Sequence, residues 1–62
     1  MEEILINNIN NGIRAIKFGM KTPETANVGI SLNKLKPLNE GMYQDLLAKY
    51  IKQVNEYKNN LK

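Results

Sequence analysis

An apolar repeat near the C-terminus constrains the fold of this chain more than any other feature. Its six members follow one another at spacings of four, three, four, three and four; they are Tyr43, Leu47, Tyr50, Val54, Tyr57 and Leu61. An apolar period of 3.5 residues is typical of a helix that packs along a second helix. The spacing predicts a long amphipathic helix, capped by Asn39 and continuing to about Leu61. We call its six apolar residues the seam.

The size of the chain favours a partner for this seam. Its 62 residues form one predicted domain, 1–62, and a chain this short buries only about 60% of the surface that its unfolded form exposes. Small domains commonly gain stability from disulfides, a metal ion or oligomerisation. The sequence has no cysteine and no histidine, which leaves oligomerisation. We therefore expect a homodimer through the seam, in either parallel or antiparallel pairing; a protein of different sequence would serve equally well.

The first segment predicts a helix over residues 2–18. Drawn at 100° per residue, six apolar side chains share one arc about 100° wide; they are Leu5, Ile6, Ile9, Ile13, Ile16 and Met20. Gly19 is the candidate C-cap. The alternative is a β-hairpin, because Asn10-Asn11-Gly12 is a turn signal that would pair Ile6 with Ile16.

The middle segment predicts a second, shorter helix. Thr22-Pro23-Glu24 is typical of a helix start, and the helix would end near Leu35 with Val28 and Leu32 on its inner side. The alternation of Val28, Ile30 and Leu32 would also suit a short strand. The predicted fold is thus all-α, a small helical domain that forms a dimeric helical bundle. An α+β fold, with an N-terminal hairpin and a C-terminal helix, is the alternative.

The same segment carries a resemblance to a DNA-binding family. Residues 22–35, Thr-Pro-Glu-Thr-Ala-Asn-Val-Gly-Ile-Ser-Leu-Asn-Lys-Leu, resemble a helix-turn-helix unit. In that family Gly-Ile-Ser forms the turn and the cap of the recognition helix, here Gly29-Ile30-Ser31. Ala26 precedes Gly29 by three residues, whereas the family has a small residue four before. The resemblance implies that the candidate nucleic-acid contacts are Asn33, Lys34 and Lys36.

Neither catalysis nor cofactor chemistry is predicted. Glu40, Asp45 and Glu56 fall on the expected exposed side of the last helix, without a histidine, a cysteine or a cluster of carboxylates beside them. No glycine-rich phosphate loop is present. We therefore expect no enzyme, no catalytic residue, no cofactor-binding residue and no metal ligand.

The tyrosines of the seam have two interpretations. They could stack on nucleic-acid bases, with Lys49, Lys52 and Lys58 nearby for phosphates. Leucine and valine alternate with them, which favours packing of the rings with the hydroxyls at a wet edge. The net charge of +3, from nine basic and six acidic residues, favours acidic partners only modestly.

These observations predict a non-catalytic interaction protein, an adaptor or inhibitor that binds another protein as a dimer. The alternatives are a small basic DNA-binding regulator and a structural assembly subunit. Ten asparagines suggest an AT-rich genome, such as that of a phage or mobile element. No apolar run approaches the roughly eighteen residues of a membrane span, and the Met-Glu-Glu start lacks a signal peptide. We expect a cytoplasmic protein with no membrane partner.

Overall fold

Three helices make up the regular structure of the computed structural model, which describes residues 1–60. They are α1 (Glu2–Lys17), α2 (Val28–Leu35) and α3 (Glu40–Asn60). The predicted all-α class is confirmed, and no strand occurs among the described residues. The α+β alternative is therefore wrong, because neither the N-terminal hairpin nor the short strand near Val28 forms.

Helix α1 begins and ends where the apolar pattern predicted. Glu2 and Glu3 occupy its first turn, where carboxylates interact favourably with the helix dipole. At the other end Gly19 has φ +74°. The Gly19 N–H donates to the Ile16 carbonyl (3.1 Å) and the Met20 N–H to that of Ala15 (2.8 Å), the bonds of a Schellman cap. The predicted C-cap is confirmed.

Met20 does not belong to the buried stripe of α1, contrary to the prediction. The left-handed Gly19 turns the chain away before Met20, whose side chain is 78% exposed. The rest of the stripe faces inward: Ile9 and Ile16 are buried, and Leu5, Ile6 and Ile13 pack against the core.

Gly12 allows α1 and α2 to pack closely. It does not lie in a hairpin turn, which is the alternative prediction. It is buried within α1. A Cβ atom built there would overlap Val28 Cγ2 of α2 and lie 3.4 Å from the Ala26 carbonyl oxygen. Only a residue without a side chain lets the backbone of α1 come this near to the start of α2.

Helix α2 begins later than predicted. Thr22 does start a helical turn, because the Thr22 N–H donates to Thr25 Oγ1 (2.9 Å) and the Thr25 N–H to Thr22 Oγ1 (3.3 Å), a reciprocal arrangement like a capping box. Asn27 then adopts a left-handed conformation, with φ 56°, and ends this turn. The predicted start at residues 22–24 is therefore wrong, while the predicted end at Leu35 is confirmed.

Helix α3 begins at the predicted cap. Asn39 Oδ1 accepts a hydrogen bond from the Met42 N–H at 3.1 Å, which satisfies one of the free donors of the first turn. Its 21 residues span about 31 Å. The longest dimension of the molecule is 37 Å, so α3 runs along nearly its whole length.

The core lies where the three helices meet. Each helix contacts the other two, and the buried cluster between them consists of Ile9, Val28, Leu32, Leu35 and Leu46. No polar or charged side chain is buried among residues 1–60. Beyond Tyr50, no described residue of α3 joins this cluster. The cluster therefore packs against the first half of α3, while Ile16 of α1 is buried outside the cluster.

Candidate functional site

The seam divides into two halves that have different surroundings. Tyr43, Leu47 and Tyr50 are half-buried and pack against the chain's own core, whereas Val54 and Tyr57 lie beyond the core cluster. Leu61 lies outside the described residues. The first half of the seam therefore contributes to packing within the chain and keeps part of its surface exposed. Dimerisation itself stays a prediction.

The second half of the seam lines an open cleft of about 450 Å³, which we call the distal seam cleft. Its walls are formed by Pro23, Glu24, Tyr50, Val54, Tyr57 and Lys58. The loop before α2 thus supplies one wall and α3 the other. The cleft combines two tyrosine rings and a valine with one carboxylate and one ammonium group.

A second surface gathers basic side chains from two helices. Arg14 and Lys17 of α1 and Lys49 and Lys52 of α3 line one groove of about 340 Å³. The remaining lining residues are Asn10, Ile13, Gln53 and Glu56. We call this surface the basic groove. All four basic residues are exposed, so the groove presents four cations and a single carboxylate to its surroundings.

The cations of the basic groove form two short rows. Arg14 and Lys17 are three positions apart on α1, and Lys49 and Lys52 are three apart on α3, so each pair shares a helix face and is separated by about 4.5 Å along the axis. The base-stacking interpretation of the tyrosines, which is not the favoured one, needs the two α3 lysines beside the rings. The structure instead places them against α1.

Phe18 extends the basic groove at the α1 end. Its ring is 67% exposed, and Lys17 Nζ lies 5.8 Å from the ring centroid, within the range of a cation–π contact. Lys17 is thus shared between the groove and the ring. An apolar, aromatic group therefore stands next to the cluster of positive charge.

The candidate nucleic-acid contacts form a separate, exposed group on α2. Asn33 and Lys34 lie on the helix and Lys36 directly after it, with Lys36 Nζ 5.6 Å from the Tyr43 ring centroid. Among the described residues that line the basic groove, none comes from α2. The two surfaces are therefore distinct.

The helix-turn-helix geometry implied by the resemblance does not form. Gly29-Ile30-Ser31, the expected turn, lies inside α2. The predicted unit covers residues 22–35, and before α2 it contains only a single helical turn at residues 22–26. The geometric expectation is wrong because Asn27, not Gly29, interrupts the helix. DNA binding itself stays a prediction.

Neither a metal cluster nor a membrane helix occurs in the part of the chain that the structure describes. Within residues 1–60 no group of three or more His, Cys, Asp or Glu side chains could hold a metal ion. Glu40, Asp45 and Glu56 are exposed on α3. No helix in this range is both long and apolar enough to cross a bilayer.

Comparison of the chain with protein-family models, with curated proteins and with solved structures finds no match. The chemistry of three surfaces bears on function: the distal seam cleft, the basic groove and the exposed group on α2.

Proposed function

We propose that this chain is a non-catalytic interaction protein, an adaptor or inhibitor that acts as a homodimer in the cytoplasm. The observation that carries the proposal is that the heptad spacing of α3 continues past the chain's own core. Val54 and Tyr57 keep the seam spacing but contribute nothing to the core cluster that the described residues form. Apolar residues that repeat every 3.5 residues on a helix commonly pack against a second helix, and the part of this face that Pro23 and Glu24 leave open is free to do so.

A second copy of α3 suits the distal seam cleft in both its apolar surface and its charge. Val54 and the rings of Tyr50 and Tyr57 are half-buried, and burial of their remaining apolar surface favours association. Tyrosine at a seam can bury its ring and keep its hydroxyl at the wet edge. In a two-fold dimer each contact occurs twice, so Lys58 of one copy can approach Glu24 of the other at two symmetric places.

We expect the wild-type chain to sediment as a dimer at micromolar concentration and the variant Val54→Asp as a folded monomer. The new carboxylate would lose its water at the interface, and pairing with the exposed Lys58 in the same cleft would offset that cost only in part. Val54 lies outside the core cluster, so we expect the monomer to keep its fold. Sedimentation equilibrium measures the mass and circular dichroism the helix content.

The matched control for this variant is Ile51→Asp. Ile51 lies on the same helix, is 50% exposed and is not a seam residue, so the dimer should persist. A wild-type monomer of about 7 kDa with a cooperative melt contradicts the proposal. A series of larger, concentration-dependent assemblies would support the alternative of a structural subunit.

The second candidate function is DNA binding, supported by Asn33, Lys34 and Lys36 on one exposed region. Affinity would then fall steeply with salt, and alanine at both lysines would flatten the salt slope by about one per lost phosphate contact. We expect no binding at physiological salt. A dissociation constant below about 10⁻⁷ M for one duplex, with preference over random DNA, would make DNA binding the better proposal, since non-specific binding is usually weaker than about 10⁻⁶ M.

A further inference from the structure

We propose that the basic groove binds an acidic amphipathic helix of a partner protein. The inference rests on the proposed function, because it names the chemistry of the partner that an adaptor or inhibitor of this kind would bind. It uses a different surface from the distal seam cleft, since the two sets of lining residues have no member in common. One chain can therefore engage its second copy and its partner at the same time.

The spacing of the cations matches the spacing of carboxylates along a helix. Arg14 and Lys17, and likewise Lys49 and Lys52, stand about 4.5 Å apart along their helix axes. Glutamates three or four positions apart on one helix face are separated by about 4.5–6 Å along its axis. A partner helix that lies along the groove can thus place carboxylates next to both rows of cations. Arg14 can bind one of these carboxylates with two parallel hydrogen bonds.

Apolar groups in and beside the groove favour a polypeptide over a simple anion. Ile13 lines the groove and is half-buried, and Phe18 stands exposed at its α1 end beside Lys17. An amphipathic helix brings leucine or methionine next to its carboxylates, and these can pack on Ile13 and the Phe18 ring. Aromatic anchors of this type commonly carry much of the affinity of an interface.

The charge of the groove is too small for strong binding to a duplex. Its four cations can neutralise at most four phosphates, and Glu56 lines the same groove and repels them. Phosphate contacts without base contacts give dissociation constants of only about 10⁻⁴–10⁻⁶ M at physiological salt. Four cations correspond better to the few carboxylates that one helix face carries.

The test uses two synthetic peptides of about fifteen residues with the same composition. In the first, glutamates follow i, i+3, i+4, i+7 spacing with leucines on the adjoining face; in the second, the glutamates are distributed around the helix. Binding is measured by fluorescence anisotropy at physiological salt, and the contact surface by NMR chemical-shift changes on the labelled full chain. We expect the first peptide to bind at least about tenfold more tightly and to shift the amides of Arg14, Lys17 and Gln53.

Two charge-matched double variants locate the binding surface. Arg14→Glu with Lys49→Glu reverses one cation of each row, and we expect affinity for the first peptide to fall about tenfold or more. Lys34→Glu with Lys36→Glu makes the same change in net charge on α2, outside the groove, and should change affinity less than about threefold. All four residues are exposed, so circular dichroism should show that both variants keep the fold.

The remaining outcomes decide against the proposal. Equal affinity for the two peptides, no binding, or equal loss in the two double variants would overturn it. So would tighter binding of a DNA duplex that depends on Arg14 and Lys49. Sedimentation of the same samples separates this inference from the proposed function. A dimer that does not bind the peptide contradicts only the proposal for the basic groove, and a monomer that binds the peptide contradicts only the proposed dimer.

Discussion

Replacing Leu46 with aspartate is expected to unfold the domain. Leu46 is 2% exposed and is the α3 member of the buried cluster, so a carboxylate there would lose its water without gaining a partner. An uncompensated buried charge costs about 3–5 kcal/mol, and a chain of 62 residues has a stability of only about 3–9 kcal/mol. Thermal melts followed by circular dichroism measure the loss. Leu46→Ala, which leaves a cavity, should lower the free energy of unfolding by about 2–5 kcal/mol.

Its neighbour Leu47 is the informative comparison. Leu47 is a seam residue and only half-buried, so an aspartate at position 47 can reach water. Leu47→Asp should therefore lower the free energy of unfolding less than Leu46→Asp. The heptad pattern alone predicts the reverse order, because it places Leu47 on the inner face and leaves Leu46 out of the seam. A larger loss at Leu47 than at Leu46 would therefore contradict the described packing of α3.

The same substitution at two glycines is expected to have opposite effects. Gly12→Ala should lower the free energy of unfolding by about 1–2 kcal/mol. The new Cβ would overlap Val28 Cγ2, and Val28 is buried and stiff at χ1, so it cannot turn aside. Overpacking typically costs about 1–3 kcal/mol, which outweighs the gain of about 0.5–1 kcal/mol from removing a glycine inside a helix.

Gly29→Ala is the matched control. Gly29 is exposed on α2, and no atom lies within 4 Å of the position that its Cβ would take. Alanine should therefore raise stability by up to about 1 kcal/mol, the helix-propensity difference. Chemical denaturation of both variants measures the two changes. If Gly12→Ala stabilises the domain as Gly29→Ala does, α1 and α2 do not approach as closely as described.

The helices and their caps could be read from the sequence because they depend on local chemistry. The apolar arc of α1 from Leu5 to Ile16, the glycine at position 19 and the asparagine at position 39 each act within a few residues, and each behaves as predicted. The start of α2 is the exception. Thr22 carries a genuine start signal, but Asn27 takes a left-handed conformation after one turn, and asparagine is among the few residues that adopt it at low cost.

The surfaces could not be read in the same way because they depend on which helix faces meet. The seam suggested Leu47 as the centre of the inner face of α3, whereas Leu46 is the buried residue. Because α3 is oriented with Leu46 toward the core, Lys49 and Lys52 lie opposite Arg14 and Lys17. Basic pairs three residues apart were visible on both helices, but only the packing of α1 against α3 brings them into one groove.

We propose that α3 packs within its own chain through Leu46 and contacts a second copy through Val54 and Tyr57. Isotope-filtered NMR on a mixed sample tests this division most directly. Labelled and unlabelled chains are combined, and only contacts between different copies give cross-peaks. We expect such cross-peaks between the Val54 methyl groups of one copy and the Tyr57 ring of the other, and none from the Leu46 methyl groups. Intermolecular contacts at Leu46, or none at Val54 and Tyr57 at concentrations where the chain is dimeric, would contradict the account.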